Sequence, residues 1–195
     1  MSEHSTVASR RNGLNIRSAT ITLTTLAVLI AAEVVLNLLE IHTGAIKINL
    51  AFVPVVVAAY LYGAWGGIAI YGLGDLLGCI VHPVGAWYPP ITITYALIGG
   101  IFGLLLHRNQ KVLPAVIAVL INQGIVSLFI TSLWIALLMY QPDNGSFFAY
   151  YFTGILPMRI VSILILCAIQ LVMTPLILKA AQRITGHNHP TAVQS

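Results

Sequence analysis

The sequence has very few charged residues. Asp, Glu, Lys and Arg make up 7% of the 195 residues, whereas hydrophobic residues make up 58%. A soluble domain carries roughly 25% charged residues, because its surface must face water. The composition therefore excludes a water-facing globule. The few basic residues form no stripe, which also excludes a nucleic-acid-binding surface.

Cysteine is scarce, and several catalytic motifs are missing. Cys79 and Cys167 both lie in apolar runs, which is typical of small buried side chains and indicates neither a disulfide framework nor a metal site. The chain has no GxxxxGK[ST] segment for binding ATP and no HExxH or GxSxG segment for hydrolysis. Broken-helix repeats of the kind that secondary transporters use are absent as well.

Apolar runs long enough to cross a bilayer recur along the whole chain. They predict an all-α integral membrane protein with six transmembrane helices, at 18–41, 49–62, 64–81, 91–107, 112–140 and 154–183. A tight turn with the sequence YGAWGG joins the second and third helices. We expect a single transmembrane domain over 1–195, including an N-terminal segment at 1–17 and a tail at 184–195.

The distribution of basic residues predicts the orientation. Seven of them fall on one side of the six predicted helices: Arg10, Arg11, Arg17, Arg108, Lys111, Lys179 and Arg183. Cytoplasmic loops carry an excess of Lys and Arg, so this side is the cytoplasm and both termini lie there. The two remaining basic residues, Lys47 and Arg159, fall on the outer side of a cell-membrane protein.

Three charged residues lie inside predicted helices at similar depth in the outer half: Glu33, Asp75 and Arg159. Placing a charged side chain inside a membrane helix costs roughly 2.5–3.5 kcal/mol on the insertion scale. Such a residue is therefore expected only where it is paired with another charge or has a function. Together with Lys47 at the mouth of the second helix, they predict a pocket open to the outside. The alternative is a carboxylate–arginine pair that only locks helices together. A small chain with such a pocket and no ATP motif indicates that the single domain over 1–195 is a substrate-binding domain. Its energy would come from partner proteins.

Pairs of small residues four apart predict close helix contacts. Ala27 and Ala31 point roughly opposite to Glu33, so this face could admit a helix of another protein or pack within the chain. Two glycine pairs, Gly74 with Gly78 and Gly99 with Gly103, are expected to bring the third and fourth helices close to their neighbours.

Four segments, 47–54, 74–78, 82–92 and 99–105, resemble the substrate-binding S components of energy-coupling factor (ECF) transporters, specifically the folate family. The resemblance implies a six-helix fold that binds its substrate near the outer face. It also implies partners: a transmembrane coupling subunit and two ATP-hydrolysing subunits. Ala27 and Ala31 resemble the pair by which S components dock onto the coupling subunit. The chain itself would need no cofactor, since its partners use the ATP.

The predicted pocket suits a ligand with an anionic end. Lys47 and Arg159 are expected to bind carboxylates, because the guanidinium fork of arginine matches a carboxylate. Asp75 would accept hydrogen bonds from a donor-bearing end. Flat contacts are expected from three aromatic residues: Trp87, Tyr88 and Trp134.

Folate has these features and is the predicted substrate. Pantothenate, which has one carboxylate and no ring, stays open because the outer loop departs from the family pattern at His82 and at 90–91. Two further readings also stay open. One is an intramembrane enzyme that uses Asp75, Glu33 and a histidine, and the other is a structural membrane partner without a ligand.

Overall fold

The chain is almost entirely helical over the residues described. A computed structural model describes residues 3–39, 41–43, 46–81, 87–107, 111–141 and 145–186, with side chains throughout except in 3–17, 41–48 and 184–186. The elements in chain order are α1 (Glu3–Leu38), β1 (Ile41–Thr43), β2 (Ile46–Ile48), α2 (Phe52–Val81), α3 (Pro89–Leu106), α4 (Val112–Leu120), a π-helix (Ile121–Thr131), α5 (Ser132–Met139), α6 (Phe147–Ala149), another π-helix (Tyr150–Ile155) and α7 (Leu156–Gly186).

Five stretches of helix are long and apolar enough to cross a membrane. They are Ser18–Leu38, Phe52–Val81, Pro89–Leu106, Val112–Met139 and Phe147–Arg183. Large apolar side chains cover their outer surfaces, as the 67% exposed Leu23 and the 76% exposed Leu104 illustrate. A surface of this kind is stable against lipid and not against water, so the prediction of a helical membrane protein is confirmed.

Some element boundaries differ from those predicted. The first helix begins at Glu3 and ends at Leu38, whereas hydropathy placed its start near residue 18. Hydropathy reports where a helix enters lipid, not where its backbone hydrogen bonds begin. The segment between the first two predicted helices forms a short antiparallel hairpin in which Ile41 pairs with Ile48 and Thr43 with Ile46. The last helix continues to Gly186, and the rest of the predicted tail lies outside the described residues.

A sharp reversal at Gly63 divides α2 into segments 52–62 and 64–81. Gly63 has a φ of 69°, a left-handed conformation that costs little only for glycine. A Cβ on Gly66 would lie 2.8 Å from the carbonyl oxygen of Ala58. Residues eight apart in a straight helix are separated by about 12 Å. The two segments therefore turn back on each other at the predicted YGAWGG turn.

Segment 52–62 lies in the core of the fold. Phe52, Val55 and Val56 are at most 1% exposed, and they belong to one apolar cluster with Phe102 of α3 and Val119 of α4. A segment of this length is too short for a typical ~20-residue crossing. Its burial among other helices explains how it stays at membrane depth, because its ends do not have to meet lipid.

Segment 64–81 packs against α3 with almost no side chain between the two backbones. A Cβ on Gly67 would collide with the carbonyl oxygen of Gly99, and a Cβ on Gly99 would collide with that of Gly67. One turn further along α3, Gly103 lies against the backbone of Ala64. The predicted close approach at Gly99 and Gly103 is therefore confirmed. Such contacts stabilise helix pairs in lipid, where van der Waals packing replaces the hydrophobic effect between helices.

We expect Gly99→Ala to lower the thermal stability of the purified protein. The added methyl group has no space against Gly67, and overpacking costs roughly 1–3 kcal/mol, or a shift of several degrees in a chain of this size. The matched control is Gly124→Ala, since a Cβ there meets no atom within 4 Å. Thermal unfolding in detergent would measure both, and equal melting temperatures would contradict the proposed contact.

Candidate ligand-binding cavity

A cavity of about 450 Å³ lies among α1, α2, α3, the Ile121–Thr131 π-helix and α7. Its volume is within the roughly 300–1,000 Å³ typical of small-molecule sites. The polar side chains that line it come from α1, α2, the π-helix and α7 and from the loop before α2: Glu33, Asn37, Asn49, Asp75, Asn122, Gln123, Ser127, Thr131, Arg159, Ser162 and Gln170. The cavity is therefore polar on several sides, although it is enclosed by apolar helices.

Glu33 of α1 forms part of the acidic wall of the cavity. Its side chain is 1% exposed, and neither carboxyl oxygen has a hydrogen-bond partner among the described residues. The carboxyl group packs directly on Gly74 of α2, where a Cβ would overlap it. One turn later, Asn37 of α1 packs in the same way on Gly78, at 3.1 Å from where a Cβ would stand. The predicted glycine pair in α2 thus accommodates two polar residues of α1.

Asp75 is the second carboxylate in the cavity wall, and a hydrogen bond connects it to Thr92 in the first turn of α3. Thr92 Oγ1 donates a hydrogen bond to Asp75 Oδ2 at 2.5 Å, and Trp87 Nε1 donates to Thr92 Oγ1 at 2.9 Å. Asp75 is 9% exposed, whereas Trp87 is 51% exposed. This hydrogen-bond chain connects a buried acid to an aromatic side chain at the mouth of the cavity.

Arg159 of α7 also lines the cavity. Its Nε atom is buried and has no hydrogen-bond partner in the part of the chain that the structure describes. Neither Glu33 nor Arg159 forms a salt bridge there, so a carboxylate–arginine lock between them is not observed. A half-buried guanidinium facing a cavity is a suitable group for binding an anion.

The π-helix and α7 contribute amides to the cavity wall. Asn122 and Gln123 are 1% and 6% exposed, Gln170 is 3% exposed, and each has one amide oxygen without a partner among the described residues. The π-helical backbone widens this turn. The hydroxyls of Thr131 and Ser132 have the same spacing, since each donates to the carbonyl five residues earlier. π-helical segments are rare in proteins, and those that do occur are often found at functional sites.

Aromatic rings line the cavity beside these polar groups. Tyr71 and Tyr95 lie with centroids 4.9 Å apart at an interplanar angle of 38°. Tyr88 also lines the cavity, at the mouth. Trp134 is not among the lining residues; its ring meets Tyr88 edge-on at 6.2 Å, and its Nε1 donates to Thr94 Oγ1 at 3.2 Å. Trp134 therefore supports Tyr88 instead of facing the cavity itself.

The remaining predicted residues have different positions. The side chain of Lys47 lies outside the described set, although its backbone forms part of β2. Ala27 and Ala31 are exposed on α1. His107, whose ring packs against Gly63, is far along α3 from the cavity mouth, and no histidine side chain that the structure describes lines the cavity.

Sequence reasoning missed several lining residues. Gln123, Ser127 and Thr131 recur at intervals of four within an apolar run, which was a usable signal for one polar helix face. Tyr71 and Tyr95 had no such signal, because aromatic residues are common throughout membrane helices and at their interfaces.

We expect Thr92→Val to loosen Trp87, because valine can neither accept from the indole nor donate to Asp75. The measurement is quenching of Trp87 fluorescence by acrylamide, with Trp65 and Trp134 replaced by phenylalanine. Quenching should increase relative to the same protein with Thr92 intact. Thr153→Val is the matched control, since its hydroxyl donates only to the Ala149 carbonyl within its own turn. Unchanged quenching in Thr92→Val would contradict the hydrogen-bond chain.

Comparison with known proteins agrees with this architecture. The folate transporter FolT of Clostridium novyi (strain NT) is 27% identical over 115 residues, which cover 58% of this chain and 67% of that protein. FolT of Leuconostoc mesenteroides is 26% identical over 150 residues, covering 74% and 77%. A crystal structure of FolT bound with folic acid has the same fold, with a TM-score of 0.69 at 22% identity over 82% of this chain and 94% of that one.

The family match extends over most of the described helices. Residues 22–178 match the substrate-specific component of ECF transporters, a range that runs from α1 to the last third of α7 and includes every residue lining the cavity. The chain is therefore a multi-pass membrane protein and belongs to the substrate-specific components of ECF transporters.

Proposed function

We propose that this chain is the folate-binding subunit of an ATP-driven vitamin importer. The observation that supports folate most directly is the composition of the cavity wall. The guanidinium of Arg159 from α7 and two carboxylates from α1 and α2 line the same cavity as the paired rings of Tyr71 and Tyr95. Folate carries carboxylates at one end and a flat, donor-bearing pterin at the other. The relatives named as folate transporters support the same substrate.

In the proposed complex Arg159 binds a carboxylate of the ligand, with Lys47 as a second cation. Asp75 belongs to the acidic wall, which faces the donor-bearing end. Trp87 and Tyr88 lie at the cavity mouth and would contact the flat part of the ligand, with Trp134 holding Tyr88 in place. Rings of this kind bury a large area and favour stacked or edge-on geometry.

Pantothenate is the second candidate. It would use Arg159 for its single carboxylate and the lining amides, such as Gln123 and Gln170, for its hydroxyls. It offers no ring to Tyr71 and Tyr95, which favours folate. A binding titration compares the two candidates directly.

We also propose six membrane crossings with both termini in the cytoplasm. The reversal at Gly63 supports this topology, because it makes two antiparallel segments from α2. The partners would be a transmembrane coupling subunit and two ATP-hydrolysing subunits. The exposed pair Ala27 and Ala31 would dock on the coupling subunit, since small residues let two helices approach closely.

Titration calorimetry of the purified subunit should detect folate binding and much weaker pantothenate binding. Arg159→Ala should weaken folate binding by about thirtyfold or more, which corresponds to about 2 kcal/mol, because the ligand carboxylate loses its charged partner. Arg183→Ala is the matched control, since Arg183 is exposed in the last turn of α7. Tight pantothenate binding without folate binding would refute the substrate. Equal affinity of Arg159→Ala and the parent would refute the role of Arg159.

Replacing both Ala27 and Ala31 by leucine should abolish folate uptake in cells that express the complete importer. Binding by the purified subunit should stay unchanged, because both side chains are exposed on α1 away from the cavity. Ala168→Leu makes the same change on an exposed position of α7 and should leave uptake unaffected. Normal uptake by the double variant would place the docking surface elsewhere.

A further inference from the structure

Glu33 differs from the other acid of the cavity in its free hydrogen-bonding capacity. Both of its oxygens lack a partner among the described residues, although the side chain is 1% exposed. Asp75, by contrast, already accepts a hydrogen bond from Thr92 at 2.5 Å. A buried carboxyl group without partners is unfavourable, and in a membrane helix such a residue marks a functional position.

The packing around Glu33 leaves its carboxyl group little freedom to move. Gly74 lies directly against it, at a position where any side chain would overlap the carboxyl group. On the next turn of α1, Asn37 Oδ1 accepts a hydrogen bond from Asn49 Nδ2 at 2.8 Å, which fixes the helix beside the cavity. The two oxygens are thus held at the cavity wall and are available as acceptors.

We propose that Glu33 is the residue that recognises the donor-bearing edge of the ligand, and that Asp75 acts as a positioning residue for Trp87 through Thr92. The assignment rests on the proposed function. In folate the donor edge is the pterin amino group at ring position 2 together with the adjacent ring N–H. These two donors point the same way, so a carboxylate can accept both in a pair of parallel hydrogen bonds, as it does from an arginine.

The neighbourhood of Glu33 suits such a ring. Tyr71 lies on the same helix as Gly74, less than one turn away, and its ring forms a pair with Tyr95 of α3. Both rings line the cavity together with Glu33. A pterin that binds Glu33 with its edge can therefore meet an aromatic surface with its face, which is the usual combination of apolar area and few directional groups in a ligand site.

The test combines a variant with an altered ligand. Folate and an analogue that lacks the 2-amino group are titrated into the parent protein, Glu33→Gln and Asp75→Asn. The parent should bind the analogue about tenfold to a hundredfold more weakly than folate, because one acceptor is left without its donor. Glu33→Gln should lose a similar factor for folate and little for the analogue, since the glutamine amide keeps one acceptor but opposes a donor with its NH₂ group.

Asp75→Asn should behave differently. If Asp75 positions Trp87, the variant should weaken both ligands by the same factor and should increase the quenching of Trp87 fluorescence. Glu3→Gln is the matched control, as it makes the same change at the start of α1, about 45 Å along the helix from Glu33. It should bind both ligands as the parent does.

The outcomes distinguish a wrong substrate from a wrong role for Glu33. Failure of the parent and of Glu3→Gln to bind folate would overturn the proposed substrate and, with it, this assignment. Folate binding by Glu33→Gln at the parent affinity would overturn the role of Glu33 alone, and so would an equal loss for both ligands in that variant. If Glu33→Gln does not fold, the parent still tests the proposal, because equal affinity for folate and the analogue would overturn it.

Discussion

The cavity depends on the contact between the backbones of segment 64–81 and α3 at Gly67 and Gly99. Helices in lipid gain nothing from burying apolar surface against each other, so their association relies on close packing and polar contacts. The glycines bring these two helices into direct backbone contact. On segment 64–81, Tyr71 and Asp75 come after Gly67, and on α3 Tyr95 comes before Gly99. The same contact therefore fixes the separation of the groups that face the ligand site.

The same principle operates on the other side of segment 64–81, with a different result. There Gly74 and Gly78 meet Glu33 and Asn37 of α1 instead of another glycine. The space released by the missing side chains is filled by polar groups, one of which has no hydrogen-bond partner among the described residues. Close packing and ligand recognition are therefore coupled, because the glycine that lets α1 approach is also the one that holds the carboxyl group of Glu33 in place.

Much of this fold was predictable from composition and spacing. Hydropathy located the membrane helices, the YGAWGG segment located the reversal at Gly63, and the glycine pairs located the tight contacts. The three charged residues inside the predicted helices, Glu33, Asp75 and Arg159, line one cavity, as predicted. The prediction was possible because an isolated charge in lipid carries a high free-energy cost. Hydropathy could not locate the start of α1 at Glu3, because helical hydrogen bonding continues past the point where the chain leaves the apolar layer.

What sequence reasoning could not supply was the pairing of individual polar atoms. Asp75 and Glu33 are equivalent as acids in an apolar run, and sequence reasoning assigned Asp75 to the donor-bearing end of the ligand. The structure distinguishes them, because Asp75 accepts from Thr92, seventeen residues away on another helix. The π-helical register that turns Asn122 and Gln123 toward the cavity is another such feature. The Asp75–Thr92 contact joins distant segments, and contacts of this kind decide which polar groups remain available to a ligand.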